Sequence, residues 1–470
     1  MQRVLLIIIS LLMSTAGYSD QNNRAVESLS QAIRYKTISH QNREDISYQE
    51  FDGFLEFLEL RYPKSFSQLT AERVNKYNLL FRWPGKDATL KPVLFDGHYD
   101  VVPVEADTQS DWLQAPFSGA IVDGFVWGRG SVDDKSAVIS LLESIEALVD
   151  EGFKPERTLL FSIVHDEEIG GREGAIRIAE RLLSENTQLE YMVGEGGFLV
   201  DDSPVLPAGH VLAMISTAEK RYVTLVLTAK GEGGHSSKPP RNSAIAKLAK
   251  AVTLLHEEPF APELVAPTTD MFSALAPYHD GIEAFMMSNP GLFGGLMARG
   301  MSDDENLQGM VRTTTAITMI GGGIKENVVP QSASASVNFR LLPNITPDEL
   351  KEIVRDKIDD PTIAIAFSDS VSLGENLPIA DKNGMGFKAI SDSILAVEPE
   401  AVVVPGLFLA TTDTRHYGKL TKNIYRFHAS MSLSTEDAAV VHGTNERISV
   451  QALERAINIT TQLVRRAGSN

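Results

Sequence analysis

The stretch FDGHYDVVPV, residues 95–104, sets Asp96, His98 and Asp100 at alternate positions. In an extended chain, side chains two apart share a face, so these three titratable groups point one way while Phe95, Gly97, Tyr99 and Val101 point the other. A row of polar groups on a core strand needs a partner. A divalent metal ion would serve, since imidazole and carboxylate are among its usual ligands. Four other stretches have the same character: GRGSVDDK (128–135), HDEEIGG (165–171), VGEGG (193–197) and HGTNE (442–446).

Taken one at a time, these stretches have ordinary explanations. Asp133 or Asp134 could cap the helix that starts near Lys135, Glu167 and Glu168 could lie on a solvated turn, and His442 could be a surface histidine. Together the ordinary readings fit poorly, because several carboxylate clusters gathered at one place repel one another unless cations neutralise them.

The 470-residue chain is too long for one compact core, which argues for two domains. It has no cysteine, which excludes disulfides, thiolate zinc sites and thiol nucleophiles. Any metal must therefore be held by histidine and carboxylate, a set suited to catalysis. A formal charge of -19 argues against a nucleic-acid partner. No G-x-S-x-G stretch marks a serine hydrolase. The N-terminus has one arginine, an apolar run from Val4 to Met13 and then small residues, the pattern of an export signal (residues 1–19) leading to a periplasmic or secreted protein; an uncleaved membrane anchor is the alternative.

The elements that must position these residues alternate in kind. NLLFRWPG, KPVLFDGHYDVVPV and RTLLFSIVHDEE read as strands, and SAVISLLESIEALVDEG and GAIRIAERLLSEN as helices. Such alternation predicts an α/β fold with a mostly parallel sheet flanked by helices. Sites in such sheets lie beyond the carboxyl ends of the strands, where the first four acidic stretches fall. The texture changes near residue 217 to strand, helix, an irregular region over about 259–310, then strand, strand, helix and strand, before the α/β pattern returns. The expected organisation is a catalytic domain formed by 20–216 and 379–470, with an inserted α+β lid or dimerisation domain at 217–378.

The order and type of these motifs resemble the di-zinc exopeptidases and deacylases that include acetylornithine deacetylase, succinyl-diaminopimelate desuccinylase, aminoacylase and glutamate carboxypeptidase. TTDTRHY, TKNIYRF and HGTNERISV carry a likeness to the Gly-X carboxypeptidase (carboxypeptidase S) and N-acyl-amino-acid hydrolase branch. The resemblance implies two zinc ions per subunit, with cobalt or manganese as substitutes. It assigns His98, Asp133, Glu168, Glu195 and His442 as metal ligands, Asp133 bridging. It makes Glu167 the general base, Asp100 the partner of the His98 ring, and His235 of GEGGHSSKPP an oxyanion-stabilising group supplied from a homodimer partner through the inserted domain. Asn327 and Arg340, with Arg415 as a second candidate, match the family's clamp for a substrate carboxylate. The implied reaction is hydrolysis of the amide bond beside a free carboxylate in small peptides or N-acyl amino acids. The Met-rich stretch AFMMSNPGLFGGLMARGM (284–301) suggests either an apolar pocket or ordinary core packing. The reading from another class is a non-catalytic exported peptide-binding protein on the same fold, which would have no use for Glu167.

Overall fold

The strand Val93–His98 is buried along its whole length. It runs parallel to Leu159–Val164 on one side and to Tyr191–Gly194 on the other, and Ile424–Arg426 continues the parallel array beyond Tyr191–Gly194. Antiparallel strands Asn78–Trp83 and Thr70–Val74 extend the edge next to Leu159–Val164. Strands with both faces covered read as continuous apolar runs, and LLFSIV, buried at every position, is such a run. The helices Lys135–Asp150, Met385–Val397 and Val450–Ala467 supply apolar residues to the same core as the strands. The architecture is the expected α/β one.

The computed structural model describes residues 24–368, 377–433 and 441–469. The N-terminal run assigned to export lies outside them. No helix among the described residues is long and apolar enough to cross a membrane.

The chain divides into two units. The first comprises 1–215, 380–404 and 416–470, and the second 216–379 with 405–415. The sequence pattern sets 405–415 with the first domain. The structure groups it with the second because the Thr411 hydroxyl donates to the Lys220 carbonyl at 2.8 Å, and the Thr412 backbone N–H donates to the Glu219 carboxylate at 3.0 Å.

The second unit is built on an antiparallel sheet in the order Thr314–Gly322, Ser332–Leu341, Arg221–Lys230, Ile363–Phe367. Alternation along Arg221–Lys230 buries Val223, Leu225, Leu227 and Ala229 in a core shared with the helices Ala244–Glu257 and Pro347–Ile358. The region expected to be irregular holds three helices, Ala266–Leu275, Gly281–Ser288 and Pro290–Ser302. Proline obscured two of them in the sequence: Pro267 and Pro290 sit in the first turn, where no backbone N–H is required.

In the first unit the Phe95 and Phe161 rings stack at 5.4 Å, both buried. Phe161→Ala is expected to cost about 3–5 kcal/mol, seen as a lower urea midpoint. An unchanged midpoint would contradict this packing.

Candidate metal centre

His98 closes the central strand. Its Nε2 lies 3.0 Å from Asp133 Oδ1 and 3.5 Å from Glu195 Oε2. The other Asp133 oxygen, Oδ2, lies 3.0 Å from His442 Nε2, which is itself 3.4 Å from Glu168 Oε2. Two groups of potential ligands result, His98–Asp133–Glu195 and Asp133–Glu168–His442, each with its donor atoms within 4.8 Å of one another. Asp133 belongs to both.

Local structure explains each placement. Asp133 ends a turn in which Gly130 adopts φ +86°, where a Cβ would come within 2.7 Å of a Val101 methyl. Glu195 directly follows the strand Tyr191–Gly194. Glu167 and Glu168 begin a short 3-10 turn between two left-handed residues, Asp166 (φ 64°) and Gly170 (φ 102°). Glu168 joins a ligand group; Glu167 belongs to neither.

Asp100 does more than the sequence suggested. Its backbone carbonyl and Oδ1 lie 3.1 and 3.3 Å from His98 Nδ1. Its carboxylate also accepts the backbone N–H groups of Glu167 and Glu168, both at 3.2 Å, and the Ser39 hydroxyl at 2.6 Å. One buried carboxylate thus ties the His98 ring to the turn that carries both glutamates.

The helix-cap explanation fails for both aspartates. Asp134 stands at the N-cap without a side-chain capping bond. Its Oδ2 instead accepts the His98 backbone N–H at 3.3 Å, and its Oδ1 pairs with His428 Nδ1 at 3.0 Å. His428 Nε2 in turn meets the Asp96 backbone carbonyl at 3.0 Å. The Asp96 carboxylate accepts hydroxyls from Tyr417, at 2.8 Å, and from Ser162. Sequence reasoning missed Asp134 and His428 in these roles. No spacing rule could link residues 294 positions apart.

The electrostatics suit a cation. Burial works against charge on Asp133, yet hydrogen bonds from His442 and His98 hold its pKa well below the usual carboxylate range. Burial and the Asp133 charge push Glu168 up to about 7, and the same two causes raise Glu195. Hydrogen bonds to Asp133 and Glu168 lift His442 to about 10. Burial disfavours the His98 cation, but its bonds to Asp100, Asp133 and Glu195 raise its pKa well above normal. Glu168 Oε1 is buried without a hydrogen-bond partner. An orphaned carboxylate oxygen on a residue that also meets the His442 ring at 3.4 Å is a donor that a metal ion would satisfy.

The remaining site residues predicted from sequence lie on the second unit. His235 is exposed on a two-residue ribbon in which Gly234–His235 pairs with Val328–Val329. The Asn327 carbonyl accepts the Ser236 backbone N–H at 3.1 Å, so His235 and Asn327 are neighbours on that ribbon. Arg340 stacks over Tyr222 at 4.6 Å and donates to Thr411 Oγ1 at 3.2 Å. Arg415 donates to the Thr412 carbonyl at 2.7 Å. Its charge adds to burial in lowering the Arg340 pKa.

Fold and donor set define a metallohydrolase with positions for two ions. A family model described as Peptidase family M20/M25/M40 matches residues 94–466, and the chain belongs to that family. The N-fatty-acyl-amino acid synthase/hydrolase PM20D1 of Xenopus tropicalis is 35% identical over 455 residues, covering 96% of this chain and 87% of that protein. Carboxypeptidase S of Saccharomyces cerevisiae is 30% identical over 476 residues, covering 91% and 81%. Among solved structures, the M20 family metallo-carboxypeptidase Sso-CP2 of Sulfolobus solfataricus superposes with a TM-score of 0.67 at 19% identity, covering 94% of this chain and 99% of that one. The Bacillus subtilis YXEP protein, a dinuclear metal binding peptidase, superposes with a TM-score of 0.57 at 14% identity, covering 95% and 98%.

Metal binding requires neutral imidazole and ionised carboxylate. At pH 7.5 a pKa of about 10 keeps His442 protonated in metal-free protein and a value of about 7 leaves Glu168 partly protonated, while the bonds to His98 favour its cation. Loading with zinc is therefore expected to release protons, about one per chain from His442 alone, and less as pH rises through its value of about 10. Calorimetry in buffers of different ionisation enthalpy measures this. Zero release at pH 7.5 would contradict the ligand set.

Proposed function

We propose that the chain is a two-zinc hydrolase that cleaves the amide bond beside a free carboxylate, acting on N-acyl amino acids and small peptides. The observation that carries this reading is the pair of ligand groups sharing Asp133, with Glu167 next in sequence to the ligand Glu168. His98, Asp133 and Glu195, and Asp133, Glu168 and His442, would hold two divalent ions, which would supply Lewis acidity toward an amide carbonyl and lower the pKa of water at the site. Glu167 takes the proton of the attacking water and delivers it to the nitrogen of the leaving amine. Asp100 holds the turn that aims Glu167. On the second unit, Arg340 with Asn327, and Arg415 as an additional cation, are assigned to the substrate carboxylate, for which a guanidinium fork is geometrically suited. His235 is assigned to the developing oxyanion. A homodimer through the second unit and export through the N-terminal apolar run complete the reading. No observation favours a non-catalytic binder.

Glu167→Ala is expected to keep both metal ions, measured by elemental analysis, while turnover falls by about 10²–10⁴-fold. Retained turnover would remove Glu167 from the base role.

Apolar surface on the second unit supports a long chain as the preferred acyl group of the substrate. Ile282, Phe285, Leu292 and Leu296 on the helices Gly281–Ser288 and Pro290–Ser302 are exposed, whereas Met287 is buried. Replacing Leu292 and Leu296 by serine removes apolar contacts worth ~1.5–3 kcal/mol per fully buried side chain, a factor of about ten or more in kcat/KM for a long-chain substrate. Turnover of the N-acetyl analogue should stay unchanged. Equal turnover of both substrates by variant and wild type would remove these helices from substrate recognition.

A further inference from the structure

Two of the acidic stretches carry a charged residue that the proposed chemistry does not use. GRGSVDDK holds Arg129 beside the ligand Asp133, and HGTNE holds Glu446 beside the ligand His442. The structure joins them. Glu446 is fully buried, and its Oε2 receives Arg129 Nη1 at 2.6 Å. Its Oε1 accepts the backbone N–H groups of Gly130, Val132 and Asp133 at 3.0, 3.0 and 3.3 Å. The second arm of the guanidinium, Nη2, donates to the backbone carbonyl of His442 at 3.0 Å. Alongside, the Gly128 N–H donates to the Glu446 carbonyl at 2.8 Å, and Phe125–Trp127 pairs antiparallel with Arg447–Ser449. One ion pair thus bridges two ligand loops whose linked residues lie 313 positions apart in sequence.

Stability alone explains this pair poorly. Removing two charges from water costs several kcal/mol per ion, and well-packed apolar replacements of buried pairs are often neutral or stabilising. What an apolar pair could not do is bond the main chain of both loops at once. His442 has special need of such a bond. Its backbone sits at φ 61°, in the left-handed region that a residue with a Cβ disfavours, and its side chain is half exposed. Strained conformations persist where surrounding contacts over-determine them. Here those contacts are the Arg129 bond to the His442 carbonyl and the bonds of Asn445, which accepts the Leu113 N–H at 2.6 Å and donates to the Asp111 carbonyl at 3.2 Å.

The dependence on this clasp is unequal. In the His98–Asp133–Glu195 group only Asp133 hangs from it, because His98 and Glu195 are set by the central strands. In the Asp133–Glu168–His442 group two of the three ligands hang from it.

Resting on the two-metal reading, we propose that Arg129 and Glu446 are positioning residues that set the affinity of the second metal position more strongly than that of the first. Arg129→Lys tests this with little risk to folding: an ammonium still pairs with Glu446 but lacks the planar fork that reaches His442 as well. The double variant Arg129→Met/Glu446→Gln removes both charges, so neither is left buried alone. Full-length protein is stripped and titrated with zinc against a chromophoric chelator, with circular dichroism as the check on folding. His442→Ala identifies which constant belongs to the second position.

Both variants are expected to weaken that constant about 10–100-fold, the usual range for partners of metal ligands, with the other constant weakened less. Added zinc should restore turnover at unchanged KM. Unchanged constants in both variants, or equal weakening of both positions, would overturn the proposal. Wild-type protein that binds no zinc would instead refute the two-metal reading itself.

Discussion

Like charge held together in a poorly solvated place governs this molecule. Asp100, Asp133, Glu168 and Glu195 gather beyond the carboxyl ends of parallel strands, where water cannot screen them fully. Every feature around them answers that repulsion. Two imidazoles stand between the carboxylates, Glu168 and Glu195 have raised pKa values, and Asp133, flanked by both rings, stays ionised. A site that must take up protons or cations to exist is already a site for divalent metal. Glu167 shares the turn of Glu168 yet belongs to neither ligand group.

Positioning is shared by residues that never need to touch a metal. Asp100 locks the His98 ring and the Glu167–Glu168 turn to one carboxylate. Asp134 and His428 hold the main chain of His98 from behind, and Glu446 with Arg129 holds the loops of Asp133 and His442. Each relies on charge-assisted hydrogen bonds to backbone, which are stronger than neutral ones and fix direction as well as distance. The cost is burial of several ionised groups, which is tolerable in a core as large as that of the first unit.

The second unit is organised differently. Its antiparallel sheet is covered by two helices through a strictly alternating strand, and its cations cluster near the strand end that carries Arg340. Under the proposed function these two features have separate roles, the cations for a substrate carboxylate and the exposed apolar helices for an apolar chain.

Much was legible from sequence because its signals are local. Alternation of Asp96, His98 and Asp100, the unbroken apolar run LLFSIV, and the acidic stretch after each strand follow from backbone geometry within a few residues. They suffice for the α/β architecture and for which residues could hold metal. Local signals failed where proline opened helices inside a region that read as irregular, and where 405–415 joined the second unit through hydrogen bonds to Glu219 and Lys220. They also could not say that Asp134 supports His98 instead of capping a helix, or that Glu446 reaches the Asp133 loop. Those facts depend on contacts between segments hundreds of residues apart, and only the folded chain, by burying charge and so demanding a partner for each one, decides which partners meet.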